Sequence, residues 1–167
     1  MKFTILVIDD EKNIRTGLRD ALELDGYEVL LASDGKEGLE MAFANEIDLV
    51  ITDLRMPGVS GEEVLRRVTT ETPGIPVIVL TGHGTVENAV EAMRAGAYDF
   101  LTKPLNLDRL SLLVKRALQN RELVAIEFDS HVAAHPGDQF VEAHLDRLGE
   151  LVVVAGQLLQ RLFQLPD

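Results

Sequence analysis

Five short apolar runs alternate with amphipathic stretches along this chain, and that alternation narrows the possible folds more than any other feature. The runs are Ile5-Leu6-Val7-Ile8, Glu28-Val29-Leu30-Leu31-Ala32, Ile47-Asp48-Leu49-Val50-Ile51-Thr52-Asp53, Pro76-Val77-Ile78-Val79-Leu80 and Tyr98-Asp99-Phe100-Leu101-Thr102. Each has the length and residue types of a buried strand. A first helix is predicted over about residues 13–25, with Ile14, Leu18, Ala21 and Leu22 inward and Gly26 ending it. Ser33-Asp34-Gly35 turns into a second, through Leu39, Met41, Ala42 and Phe43, and Val64, Leu65 and Val68 mark a third. Thr85 can cap a fourth through Val86, Ala89, Val90 and Met93, ending at Gly96. A last helix opens near Asn106 with Leu110, Leu113, Val114, Ala117 and Leu118 inward. Strands that alternate with helices through short joints form a parallel sheet covered by helices on both faces.

Composition limits what such a fold can do. The 167 residues are 46% hydrophobic and 26% charged, ordinary for a globular chain. The net charge of -12 argues against a surface that coats nucleic acid, so no direct nucleic-acid binding is expected. Cysteine is absent, which excludes thiolate chemistry and Cys-based zinc sites. Asp9-Asp10 follows the start too closely for a signal peptide, and no apolar run approaches membrane-spanning length. A cytoplasmic location without membrane contact is expected.

Asp53 ends its apolar run and enters a Pro/Gly turn, Leu54-Arg55-Met56-Pro57-Gly58. In a parallel α/β sheet, ligands and chemistry gather at the C-terminal strand ends. Other runs deliver Asp9 and Asp10, Thr81 and Lys103 to that same edge. Clustered carboxylates repel unless a cation neutralises them, and hard oxygen donors select Mg²⁺ or Mn²⁺. A carboxylate beside such an ion can attack phosphorus, while a hydroxyl and an ammonium stabilise the phosphoryl oxygens. A general base to activate water is not obvious, which favours a persistent phosphorylated state over hydrolysis.

Ile8-Asp9-Asp10-Glu11, Thr52-Asp53-Leu54-Arg55-Met56-Pro57-Gly58, Thr81-Gly82-His83 and Phe100-Leu101-Thr102-Lys103-Pro104 closely resemble the receiver domain of two-component response regulators. The nearest likeness is to receivers of nitrogen-regulator-like activators, with Gly96-Ala97-Tyr98-Asp99-Phe100 before the lysine. The resemblance covers about residues 1–123 and implies a flavodoxin-like, doubly wound five-stranded sheet of order 2-1-3-4-5. It implies that Asp53 is the phosphoacceptor, receiving its phosphoryl group from a histidine kinase or a phosphotransfer protein. It further implies that Asp10 binds Mg²⁺ directly and Asp9 through water, with the backbone carbonyl of Arg55 as another ligand. Lys103 would pair with the phosphate, next to a cis bond to Pro104. Thr81 and Phe100 would form the two-state switch, and Arg55 and His83 would flank the phosphate. Beyond self-phosphorylation and slow autodephosphorylation, no enzymatic activity is expected. A phosphohydrolase using Asp53 is the alternative, disfavoured because Arg55 stands where haloacid-dehalogenase-type phosphatases carry a second Asp.

Residues 124–167 differ in character: they contain no Lys, and their arginines are Arg147 and Arg161. Val141, Leu145, Leu148, Val152, Ala155, Leu159 and Leu162 follow a heptad pattern, ended by Pro166. A C-terminal helical extension is therefore expected, serving homodimerisation or output binding. Dimerisation through the fourth-helix, fifth-strand and fifth-helix face is the other route. Ser130-His131 with Pro136 faintly resembles the histidine box of sensor kinases, and residues 145–152 resemble a dimerisation helix of chemotaxis kinases. Phosphotransfer by His131 or His144 is a weak reading of these echoes, and a dimeric adaptor with such a tail is a further alternative.

Overall fold

A computed structural model describes the backbone of residues 2–82 and 86–132, and the side chains of 2–82 and 87–122. Strands β1 (Thr4–Ile8), β2 (Glu28–Ala32), β3 (Leu49–Asp53), β4 (Val77–Thr81) and β5 (Asp99–Thr102) form one parallel sheet of order β2-β1-β3-β4-β5. Helices α1 (Lys12–Leu24), α2 (Gly35–Ala44), α3 (Gly61–Glu71), α4 (Val86–Arg94) and α5 (Leu107–Val132) follow the strands in turn. The alternation predicts the parallel sheet, and its order is the flavodoxin-like one that the receiver resemblance implies. The chain divides into two compact units, 1–124 and 125–167. Among the described residues, no helix is long and apolar enough to cross a membrane.

Strand periodicity sorts the core into two layers. Ile5 and Val7 of β1 join Leu49, Ile51, Ile78 and Leu80 on the face covered by α1 and α5. Leu6 and Ile8 point the other way, with Val50, Val77 and Val79, toward α2, α3 and α4. Because β1, β3 and β4 are buried on both faces, their sequences are continuous apolar runs instead of alternating ones.

Local chemistry sets the helix ends. Asp34 caps α2 by accepting from the Glu37 N–H at 2.9 Å, and the Glu37 carboxylate returns to the Ser33 N–H at 2.7 Å. Ser60 caps α3 by accepting from the Glu63 N–H. Gly26 ends α1 at φ +94°, a left-handed conformation that only glycine adopts without strain. Its N–H donates to the Glu23 carbonyl and that of Tyr27 to the Leu22 carbonyl, the paired bonds of a Schellman motif.

Two details go beyond the sequence reading. On α4, Ala89 is buried, but Val90 and Met93 are 41% and 43% exposed, and the buried partner of Ala89 is Ala92. Small side chains at this i, i+3 pair face the sheet, leaving the larger apolar residues outside. Helix α5 also runs unbroken through the compositional change near residue 123, since no Pro or Gly interrupts it before Pro136-Gly137. His83, Thr85, His144, the heptad positions and Pro166 lie outside the described residues, and His131 is described only as helical backbone.

Candidate phosphoryl-transfer site

The sheet brings the sequence-predicted residues to one edge. Asp53 and Thr81 are the last residues of β3 and β4, Asp9 follows β1, and Lys103 follows β5. The pairings Ile8 with Thr52, Asp53 with Leu80 and Thr81 with Thr102 align these ends. Strands β1 and β3 are neighbours where the strand order reverses, so a crevice opens between the loops that leave them. That crevice, about 290 Å³, is lined by Asp53, Arg55, Thr81 and Lys103 together with Glu11 and Asn88.

Charge is concentrated here. Asp9, Asp10 and Asp53 each offer a carboxylate oxygen, and these atoms lie within 4.8 Å of one another. Asp9 is buried and Asp53 only 6% exposed, whereas Asp10 faces solvent. The Lys103 ammonium stands among them, 3.0 Å from Asp9 Oδ2 and 3.1 Å from Asp53 Oδ2. Asp9 Oδ2 nevertheless has no aligned hydrogen-bond donor. Burial pushes the Asp9 carboxyl above its ordinary value; the Glu11 N–H and Lys103 pull it back, and the Asp53 charge pushes it up again. For Lys103, burial opposes the charge, but its close contacts with the Asp9, Glu11 and Asp53 carboxylates outweigh it and hold the amine well above its usual range. Three hard oxygen donors, one of them buried with an ion pair but no aligned hydrogen bond, suit a cation such as Mg²⁺.

The remaining sequence-predicted residues surround this centre. Thr81 is buried, and its hydroxyl faces the Leu101 carbonyl at 3.5 Å. Its own carbonyl accepts from the Lys103 N–H at 2.8 Å, tying the ends of β4 and β5. Phe100 is half-buried and packs on the α2, α3 and α4 side of the sheet. The Arg55 N–H reaches Asp53 Oδ1 at 3.4 Å while its side chain is exposed. The Lys103–Pro104 bond is cis. Gly82 is exposed, and a Cβ placed there would meet nothing within 4 Å, so this side of the crevice is open.

Three residues escaped the sequence reading. Glu11 binds the Lys103 ammonium at 3.0 Å; its only signal was adjacency to the acidic pair. Asn88 reaches the crevice from the first turn of α4, and nothing in its neighbourhood in sequence marks it. Gly61 lets α3 approach the site, because a Cβ there would lie 1.8 Å from the Asp53 carbonyl oxygen. The turn residues before it, Val59-Ser60, gave no hint of so close a contact.

Comparison with known proteins agrees with this geometry. A family model for the response regulator receiver domain matches residues 5–115. The C4-dicarboxylate transport transcriptional regulatory protein DctD of Pseudomonas aeruginosa is 45% identical over 121 residues, which cover 72% of this chain and 26% of the relative. The regulatory protein AtoC of Escherichia coli is 42% identical over 115 residues, 69% of this chain and 25% of that protein. A crystal structure of a receiver domain protein from Clostridium thermocellum superimposes with a TM-score of 0.70 at 44% identity, covering 73% of this chain and 98% of that one. This chain thus spans about a quarter of the length of these two relatives. With the four strand-end motifs, the sheet order and the acidic edge in place, the chain belongs to the response regulator receiver domain family, in its nitrogen-regulator-like branch.

Proposed function

We propose that this receiver domain accepts a phosphoryl group on Asp53 from a histidine kinase or phosphotransfer protein, and that the modification switches a surface controlling self-association or partner binding. The observation that carries this reading is Asp53 at the centre of the edge, 3.1 Å from Lys103 and clustered with Asp9 and Asp10. In the transfer, a carboxylate oxygen of Asp53 bonds to phosphorus as the bond from phosphorus to the donor's nitrogen or oxygen breaks, and that electron pair leaves with the donor. Asp9, Asp10, Asp53 and the Arg55 backbone carbonyl would hold Mg²⁺, which supplies charge neutralisation for the phosphoryl oxygens. Lys103 orients the phosphoryl group through its ammonium, and the buried Thr81 hydroxyl turns from the Leu101 carbonyl to the new oxygens. Phe100, on the adjoining strand, follows Thr81 inward, so the phosphate biases a packed two-state element.

No observation favours the phosphohydrolase reading, since Arg55 stands two residues after Asp53. Self-association through residues 124–167, or phosphorylation-dependent dimerisation through the face of α4, β5 and α5, is proposed. Regulation of transcription is the proposed destination of the signal, following the names of the relatives. The expectation of no nucleic-acid contact rests on net charge alone and gains nothing from these relatives.

The test is to incubate the chain and an Asp53→Ala variant with Mg²⁺ and a small acyl phosphate, following intact mass and elution volume. One labile phosphate on the parent alone is expected. An unmodified parent, or a variant modified equally, overturns the reading, and sustained hydrolysis of phosphate esters would replace it with an enzyme.

A further inference from the structure

Glu11 occupies the N-cap position of α1, yet its side chain makes no capping hydrogen bond. Its backbone is fixed on both sides: the N–H donates to Asp9 Oδ1 at 2.8 Å, and the carbonyl accepts from the Arg15 N–H at 3.1 Å. From this anchored start the carboxylate reaches away from its helix to the Lys103 ammonium, 92 residues along the chain, at 3.0 Å. Lys103 is thus shared among Asp9, Asp53 and Glu11. The first two are buried, while the Glu11 side chain is 61% exposed. A solvated partner can let go at little cost, because water replaces the lost contact.

We propose that Glu11 is a positioning residue that holds the Lys103 ammonium in the resting site and competes for it with the phosphoryl oxygens arriving on Asp53. This rests on the reading of Asp53 as the phosphoacceptor. In the resting site Glu11 draws the ammonium toward the crevice mouth and lessens its hold on the Asp9 and Asp53 oxygens that a cation needs. When the phosphoryl group arrives, Lys103 exchanges the Glu11 carboxylate for a phosphate oxygen, and the strength of the Glu11 contact retards that exchange.

Glu11→Gln and Glu11→Asp separate a contact effect from a charge effect. The amide keeps the reach but makes a weaker, uncharged acceptor. The aspartate keeps the charge but is shorter by one C–C bond, about 1.5 Å, which takes the carboxylate out of hydrogen-bond range. Two measurements on the full chain follow: calorimetric titration of the unphosphorylated protein with Mg²⁺, and the rate of mass gain from a small acyl phosphate at saturating Mg²⁺. Both variants are expected to bind Mg²⁺ more weakly and to phosphorylate faster, each by about two- to fivefold, as suits a half-exposed ion pair. If Glu11→Asp matches the parent while Glu11→Gln departs from it, charge alone acts and the proposal fails. It fails equally if Glu11→Gln phosphorylates more slowly. If the parent takes no phosphate, the phosphoacceptor reading fails separately, and the Mg²⁺ titration decides for Glu11: weaker binding in both variants supports its hold on Lys103, and unchanged binding overturns it.

Discussion

Asp9 carries its charge where the fold penalises it. Burial and the neighbouring Asp53 raise its carboxyl above the ordinary value, and the Lys103 and Glu11 contacts do not fully offset them. A carboxyl whose value is raised by folding gives stability that is complete below its unfolded value of 3.8 and is lost as pH climbs through the raised folded value. At neutral pH the ionised group therefore destabilises the domain when no cation is present. Asp9→Asn keeps an oxygen that can accept the Glu11 N–H and removes the charge. We expect the variant to melt about 2–6 °C higher than the parent in chelator at pH 7, and to lose most of the parent's rise in Tm on adding Mg²⁺. A variant less stable than the parent in chelator would show that the pairing with Lys103 outweighs burial. The convergence of Asp9, Asp53, Thr81 and Lys103 on one edge was legible in the sequence because each stands at the end of an apolar run. Glu11 and Asn88 were not, since their roles arise only when distant loops meet across the crevice.

At the level of elements, α3 is the support on which Asp53 rests. Ser60 caps the helix, and the Gly61 N–H donates to the Leu54 carbonyl at 2.9 Å, so the first turn presses directly on the backbone leaving β3. A Cβ at position 61 would fall 1.8 Å from the Asp53 carbonyl oxygen and 2.7 Å from Leu54 Cα, both backbone atoms that cannot swing aside. Gly61→Ala should cost about 1–3 kcal/mol or more, read from denaturant unfolding, and should slow phosphorylation of Asp53 by displacing it. Gly74→Ala is the matched control: its Cβ would meet nothing within 4 Å, and a change within about 0.5 kcal/mol is expected. Equal effects of the two substitutions would deny the close approach its role. The strands and most helix faces could be read from periodicity, since Leu18, Leu22, Leu110, Val114 and Leu118 are all buried as expected. On α4 the apolar positions Ala89, Val90 and Met93 did not distinguish the inner face, and among the described residues the alanines Ala89 and Ala92 are the ones buried.

At the scale of the whole molecule, every residue assigned to the site lies within the first compact unit, 1–124, and α5 carries the backbone on to Val132. The first unit has its own two-layered core and its own pinning of α5 to the sheet. Arg121 pairs with Asp48, whose other oxygen accepts the Thr4 N–H at 2.7 Å, and Ser111 donates to Asp25. These contacts close the sheet edge opposite the acidic crevice without any residue beyond 124. A chain ending at Val132 should therefore fold cooperatively and take up phosphate on Asp53 at the parent's rate, checked by thermal unfolding and intact mass. Its oligomeric state carries the separate information. If the apolar heptads of the C-terminal segment join two copies, the shortened chain will elute as a monomer while the full chain elutes as a dimer, whether or not Asp53 is phosphorylated. If instead the face of α4, β5 and α5 is the contact, both chains will associate only after phosphorylation, since the switch residues Thr81 and Phe100 lie on β4 and β5. Light scattering on the two chains, with and without the phosphodonor, separates these outcomes, and a phosphate-independent dimer of the shortened chain would contradict both.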